Sequence, residues 1–457
     1  MRPSSEQSLL WTVTIALFAA GAVMVYSASS ATSALQTDGD PLGFLKRYLI
    51  LGGVGLLLMR YLSRVDLDRV RRATPAVLAV AFGLLVLVKI PGLGVEINGA
   101  RRWLGYGIAR FQPSEVAKLA LVLYAAMLIA KDPSRVRSLK TMANPLLLVC
   151  GGVVMLIALQ PDLGTDLVIC AMLGTILLAA GAQTKDLAKL GAGLVVIVLL
   201  FSIVEPYRMA RLTAFMHPGS DPTGIGFQTE QARIAIGSGG IFGNGLGESV
   251  QKVFYLPEAH TDMILAIIGE ELGLIGITIL VSLYFALIVG GLRAARNSRD
   301  AYARLLAIGI TSMIACQALL NFFAVMGMAP LTGVPLPFIS YGASNLIMLL
   351  GAMGLLVNVA SGRHVARVRV LNGGGDTTYR GRSSEGERTA KGRGPARQAS
   401  QRSRPSDRPA ERERPAERVA SAGGDLWSSV RRTRGNYEDR DRGRGNGGTR
   451  RTGPGSR

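Results

Sequence analysis

The chain is predicted to be all-α, a polytopic membrane protein with about ten transmembrane helices, a large extracellular loop between the seventh and eighth, and a disordered basic C-terminal tail. Three observations predict this. Apolar runs near the roughly 20 residues that a helix needs to cross a ~30 Å hydrocarbon core recur up to residue 362. The connections between them alternate between Lys/Arg-rich and less basic. After Arg363 the composition turns to Arg, Gly, Ser, Pro and Glu, so the averages over 457 residues, 49% hydrophobic and a net charge of +20, mix two regimes. Residues 1–362 then form one membrane domain and 363–457 a separate tail.

The candidate helices are 9–28, 46–62, 74–90, 114–130, 145–160, 164–182, 188–204, 262–292, 304–327 and 340–361. The first is followed by "SASSATSA", which offers a cleavage-like site, but only Arg2 against Glu6 precedes it and many spans follow, so it reads as a retained helix. The second is short, "QPDLGT" alone separates the fifth from the sixth, and the eighth is long enough to tilt. "RYLSRVDLDRVRR", "KDPSRVRSLK", "QTKDLAK" and "RAARNSRDAYAR" are the basic connections. The positive-inside rule puts them, and both termini, in the cytoplasm. The loop 91–113, "QPDLGT", the segment 205–261 and the turn 328–339 then fall on the outer face.

The tail cannot bury enough apolar surface to offset the entropy of ordering. Its charge suits anionic membrane lipids or an acidic partner, and nucleic acid is not the expected partner. Cys150, Cys170 and Cys316 lie inside apolar runs at no zinc or disulfide spacing, which assigns them to packing. His217, His260 and His364 are too scattered for a histidine metal site.

Charge inside a membrane is costly and marks function. Glu115, Lys118, Asp162, Asp166, Asp262, Glu270 and Glu271 stand at or just inside outer helix ends. With "NGARRWLG" (98–105) and "FQPSE" (111–115) they are expected to ring an outward-facing polar cavity. Asp262 follows Pro257 at the start of the eighth helix, where the dipole favours a carboxylate. It can cap that helix, as can Thr261; partly desolvated, it can instead titrate near neutrality and act as a general base. Glu270 lies ~80° around and ~12 Å deeper at helical geometry, with Glu271 on the opposite side. Arg101 and Arg102 suit either a pyrophosphate, through paired donors, or snorkelling toward lipid headgroups. Arg208, Arg211, Arg233 and Lys252 extend the basic supply along 205–261. "GSGGIFGNGLGES" (237–249) follows no strand and completes no dinucleotide fingerprint, so it reads as a flexible loop exposing its backbone. "QPDLGT" places Gln160 and Asp162 at a proline-broken junction. "PLTGVPLPFISYG" (330–342) interrupts the chain before the last helix, which is tolerable where backbone is buried in protein or wetted.

"YSASS", "NGARRWL", "FQPSEVAKLAL", "QPDLGT", "DPTGIGFQTEQARIAIGSGG", "YLPEAHTD", "IIGEELG" and "PLPFISYG" resemble, in this order, the motifs of the SEDS family (shape, elongation, division, sporulation). The likeness covers roughly residues 10–362, and "FLKRYLI" and "PEAHTD" are similar to the cell-division branch. Ala343 departs from a glycine usual in the family, and Met263 from a phenylalanine. The resemblance implies a peptidoglycan glycosyltransferase polymerising lipid II at the outer membrane surface, at the septum, with Asp262 as the catalytic carboxylate. It implies substrate contacts from Arg101, Arg102, Gln112, Glu115, Gln160, Asp162, His260 and Ser340, with Lys252 added from the basic outer segment. A class B penicillin-binding protein and other divisome components are the implied partners. No cofactor is assigned, and a divalent cation, Mg or Mn, stays open. Two other readings compete, a lipid II flippase and a divisome scaffold that recruits through the tail. Polar residues gathered on one face favour the polymerase, because a flippase needs a polar route through both leaflets.

Overall fold

The computed structural model describes residues 4–36, 40–97, 100–105, 110–204, 206–217, 225–253 and 255–362. The chain divides into two units, Met1–Arg380 and Gly381–Arg457, and every described residue belongs to the first. The tail expected over 363–457, with His364, lies outside the described residues, as does the side chain of Arg208.

The elements run α1 (Ser5–Gln36), α2 (Gly43–Leu62), α3 (Leu67–Leu87), β1 (Gly94–Ile97), β2 (Ala100–Leu104), α4 (Pro113–Lys131), α5 (Leu139–Met142), α6 (Leu148–Ala158), α7 (Leu163–Ala179), α8 (Thr184–Val204), α9 (Pro206–Met216), α10 (Ile225–Gly239), α11 (Ile264–Asn297), α12 (Ala301–Val325) and α13 (Ala343–Ala360). Local chemistry sets several starts. Asp66 accepts the Asp68 N–H before α3, Asp300 accepts the Ala303 N–H before α12, and Pro113 occupies the first turn of α4, where its missing N–H costs nothing.

The fold is mostly helical. Among the described residues, 7 helical stretches are long and apolar enough to cross a membrane: Ser5–Ser30, Leu67–Leu87, Pro113–Lys131, Leu139–Ala158, Ile264–Asn297, Ala301–Val325 and Ala343–Ala360. Three expected spans are helical but fall outside this set. Helix α2 carries Lys46, Arg47 and Arg60, α7 has only 17 residues, and the side chains of α8 from residue 198 onward lie outside the described residues. Large side chains turned outward, such as Leu57 (72% exposed), Leu148 (71%) and Phe285 (67%), mark the lipid-facing surface. Helices α4, α12 and α13 are the most enclosed of the spans. Helix α13 packs along α2, α1 along α11, and α12 against α7, α4 and α11.

Two outer segments expected as loops hold structure. Residues 94–104 form an antiparallel hairpin of β1 and β2, and 205–261 contains α9 and α10. These elements are short and mix charge with apolar residues, so they lack the long apolar runs that reveal a span.

The eighth run was expected over 262–292; it forms α11 over 264–297 and is broken at Gly273 (φ 64°, ψ −161°), a backbone region open essentially to glycine alone. At the break Leu274 and Ile275 lose their helical acceptors, Glu270 O and Glu271 O. The glycine-rich stretch after α10 replaces them. Leu274 N donates to Gly240 O (3.0 Å) and Ile275 N to Ile241 O (3.2 Å), while Asn244 N donates to Glu270 O (2.9 Å) and Gly245 N to Glu271 O (3.0 Å). The backbone expected to be exposed and flexible is here spent on repairing a helix. A Cβ on Gly243 or Gly273 would meet the opposing backbone at well under contact distance. Gly273→Ala is therefore expected to cost about 3 kcal/mol, from backbone strain plus overlap, read as a lowered thermal-unfolding midpoint in detergent. An unchanged midpoint would contradict this account of the break.

Candidate active site

The non-helical segment 328–342 organises the polar residues. It is buried over residues 336–340, and side chains from several helices take up its carbonyls. Arg211 of α9 donates to Leu331 O (2.7 Å), Asn321 of α12 to Val334 O (2.9 Å), Tyr284 of α11 to Pro337 O (2.5 Å), and Tyr48 of α2 to Phe338 O. Phe338 is held at φ 64°, a conformation rare for a bulky residue and sustained only when its surroundings enforce it. Ser340 closes a local turn, its Oγ accepting the Leu336 N–H at 2.8 Å.

Asp262 lies on one side of this segment. Helix α11 starts at Ile264 with Met263 in the capping position and no side-chain cap, so neither Asp262 nor Thr261 serves as the helix cap. Asn321 donates to the Asp262 backbone carbonyl (2.7 Å), fixing the main chain. At Oδ1 the carboxylate accepts the Thr261 hydroxyl (3.2 Å), and that hydroxyl also reaches Glu258 Oε2 (2.8 Å). The Asp262 carboxylate and the Arg211 guanidinium converge over Gly333, which keeps that spot open because it has no side chain. Burial first, and the negative charge of Glu258 second, push the Asp262 carboxyl up to about 6, against the opposing pull of Arg211. His260 packs its ring against Phe44 and Tyr341, and its carbonyl accepts the Tyr341 N–H at 2.9 Å. Burial holds its imidazole below the usual histidine range.

A second cluster lies at the start of α7, on the other side of the same segment, where Gly164 packs against Thr332 and Val334. Asp162 caps α7 through the Thr165 N–H (3.3 Å) and hydroxyl (2.9 Å), and also accepts Gln112 Nε2 at 3.1 Å. Arg102 approaches Asp162 at 3.9 Å and donates to Gln160 O (2.9 Å) and to Pro161 O. The Gln112 N–H donates to Ser344 Oγ (2.9 Å), and Gln160 Nε2 donates to Leu85 O (3.1 Å). Glu115 forms a buried pair with Lys118 (2.9 Å) and accepts Asn345 Nδ2 (3.0 Å).

The structure thus groups Asp262, His260 and Ser340, with Gln112, Gln160, Asp162 and Arg102 across segment 328–342. Two expected site residues stand apart. Arg101 is exposed on the hairpin, paired with Glu96 at 3.0 Å. Lys252 is buried against Glu271 (2.8 Å), with Ser27 of α1 also bound to that carboxylate (2.6 Å). Asn321 is not among the expected site residues, and Arg211 is expected only as part of the basic supply along 205–261. Asn321 is one polar residue inside a long apolar run, which was the available signal; nothing in the order of the chain brings Arg211, 51 residues earlier, to Asp262.

Residues 7–364 match the family model of FtsW, RodA and SpoVE, described as "Cell cycle protein". The chain belongs to this family. The FtsW/RodA/SpoVE membership agrees with the SEDS motifs. Its relatives include a protein of Trichlorobacter lovleyi named "Probable peptidoglycan glycosyltransferase FtsW", 42% identical over 360 residues, or 78% of this chain and 94% of that one. The "Stage V sporulation protein E" of Bacillus subtilis is 40% identical over 363 residues, 79% of this chain and 98% of that one. Among solved structures of the family, one titled "Structural coordination of polymerization and crosslinking by a peptidoglycan synthase complex" is similar at a TM-score of 0.63 and 29% identity, over 78% of this chain and 97% of that one. The rod-shape-determining protein RodA of Thermus thermophilus has a TM-score of 0.57 at 29% identity, over 78% of this chain and 96% of that one. The chain is accordingly a multi-pass membrane protein with a RodA-like fold.

Proposed function

We propose that the chain is a peptidoglycan glycosyltransferase that polymerises lipid II at the outer face of the cytoplasmic membrane during septal wall synthesis, with Asp262 as general base. The observation that carries the reading is Asp262 itself: a carboxylate that caps no helix, is desolvated, and faces an arginine across a glycine. The names of the relatives supply the substrate class. About ten spans with both termini cytoplasmic would set this site at the outer surface, where lipid-linked sugars reside.

In the reaction the acceptor hydroxyl gives its proton to Asp262 as its oxygen bonds to the donor's anomeric carbon. The bond from that carbon to undecaprenyl pyrophosphate breaks, and the electron pair leaves with the pyrophosphate. Arg211, beside the base, supplies positive charge for the negative charge that passes to the departing pyrophosphate. A divalent cation would meet Asp262 and Glu258. Among the described residues no group of three His, Cys, Asp or Glu side chains forms, so the donor set falls short of a metal cage. The resemblance of the fold to a peptidoglycan synthase complex supports a class B penicillin-binding protein as partner.

The test is polymerisation of lipid II by the purified chain with its transpeptidase across acidic to neutral pH. With Asp262 at about 6, the rate is expected to be level above neutrality and to fall about tenfold per unit below pH 6, as the base protonates. Glu258→Gln removes the neighbouring negative charge and should move that acid limb to lower pH. A limb that does not respond to Glu258→Gln would detach it from Asp262. Lipid II crossing vesicles with no polymer formed would favour transport instead.

A further inference from the structure

The basic connection between α2 and α3 holds a groove that the proposed chemistry leaves unused. It is open, about 480 Å³, and lined by Leu57, Arg60, Tyr61, Arg64, Asp66 and Arg69. Arg60 stands in the last turn of α2 and Arg64 in the turn just past its end, and Arg69 reaches the groove from the first turn of α3. All three are exposed, and none forms an ion pair among the described residues, whereas Arg71 of the same connection sits over the Tyr302 ring (5.8 Å) and Arg72 donates to Asp68 O (3.3 Å). Asp66, the acid in the lining, is engaged as the α3 cap, and Asp68 is next to it in the same turn.

The turn is held from beneath. Asn358 of α13, itself buried, donates to Leu62 O (2.8 Å) and Val65 O (2.5 Å), and Ser63 Oγ donates to Arg60 O (2.8 Å). The backbone carrying the arginines is therefore fixed by another helix. Beside them Leu57 and Tyr61 are 72% and 67% exposed, so lipid-facing apolar surface ends where the arginines begin. Tyrosine at that level is the usual residue of a membrane interface.

We propose that this groove binds the phosphate headgroup of an anionic phospholipid, with Arg60, Arg64 and Arg69 on the phosphate and Leu57 and Tyr61 along the upper acyl region. The guanidinium fork matches phosphate oxygens in pairs. The site rests on the membrane reading of α2 and α3 and is independent of the chemistry at Asp262.

The experiment uses the full chain, delipidated in detergent and incubated with phosphatidylglycerol or phosphatidylcholine, with bound lipid counted by native mass spectrometry. Wild type is expected to prefer phosphatidylglycerol. Arg60→Gln/Arg64→Gln/Arg69→Gln should lower its retention about 100-fold, from roughly fivefold per guanidinium–phosphate ion pair lost. Arg60→Lys/Arg64→Lys/Arg69→Lys keeps the charge but loses the fork and should retain the lipid at a level between wild type and the glutamine variant, which guards against misfolding of the latter. Arg293→Gln/Arg296→Gln/Arg299→Gln removes equal charge from another exposed stretch that lines no part of the groove, so a headgroup held by paired guanidinium donors should stay within about twofold of wild-type retention. Equal loss in this control would show diffuse attraction and overturn the site. So would displacement of the lipid by millimolar inorganic phosphate, which would point to a soluble anion. Polymerisation assays on the same preparations report separately on the Asp262 reading.

Discussion

Asp262→Ala is expected to lower lipid II polymerisation about a thousandfold, within the range that a positioned general base contributes, in a protein that still folds and still binds its transpeptidase. Folding should survive because the side chain caps no helix and its backbone is held by Asn321, which the substitution leaves in place. Thermal stability should hold or rise. A carboxylate raised in the folded state to about 6 from 3.8 costs stability wherever it is ionised, and a shift of that size represents roughly 3 kcal/mol before solvent screening. That cost is full above pH 6 and fades as the pH falls through 6 toward the unfolded value, so the gain from Asp262→Ala should shrink in acid. Polymerisation equal to wild type would remove Asp262 from the reaction.

Glu271→Ala is expected to be the most damaging substitution for stability, at about 3–5 kcal/mol, because it leaves Lys252 charged and buried without its partner. The carboxylate joins three parts of the chain: Lys252 at 2.8 Å, Ser27 of α1 at 2.6 Å, and α11 on which it stands. Glu270 beside it binds the Val250 N–H (2.9 Å) and Ser249 Oγ (2.5 Å). Both carboxylates thus clamp the 247–252 stretch onto the helix at the turn before the Gly273 break. Lys252→Met/Glu271→Leu, which removes both charges together, should recover most of the loss in thermal unfolding. A double variant as unstable as Glu271→Ala would show that packing, not the unpaired charge, dominates.

Much of the membrane architecture was legible because a lipid solvent imposes a length and a polarity on every crossing segment. The apolar runs coincide with helices, and the seven that satisfy length and composition are visible from the residues alone. Helices α9 and α10 were not, since their polar residues and short length resemble those of any outer loop. The break in α11 was equally hidden: "IIGEELG" reads as continuous helix, and only the backbone of 240–245 arriving from elsewhere makes the break tolerable.

The site divides in the same way. Sequence by itself determined which residues were unusual: Asp262, Asp162, Gln160 and Gln112 are polar groups in or beside apolar runs, where their cost calls for a reason. Their partners are set by contacts between distant parts of the chain. Tertiary structure alone decided that Asp262 is freed from capping and faces Arg211 across Gly333, and that Lys252 belongs to Glu271. It also showed that both polar clusters pack against 328–342. Desolvation and charge pairing act through space over a few ångströms, so they are decided where helices meet, whereas hydrophobic length is carried by each segment on its own.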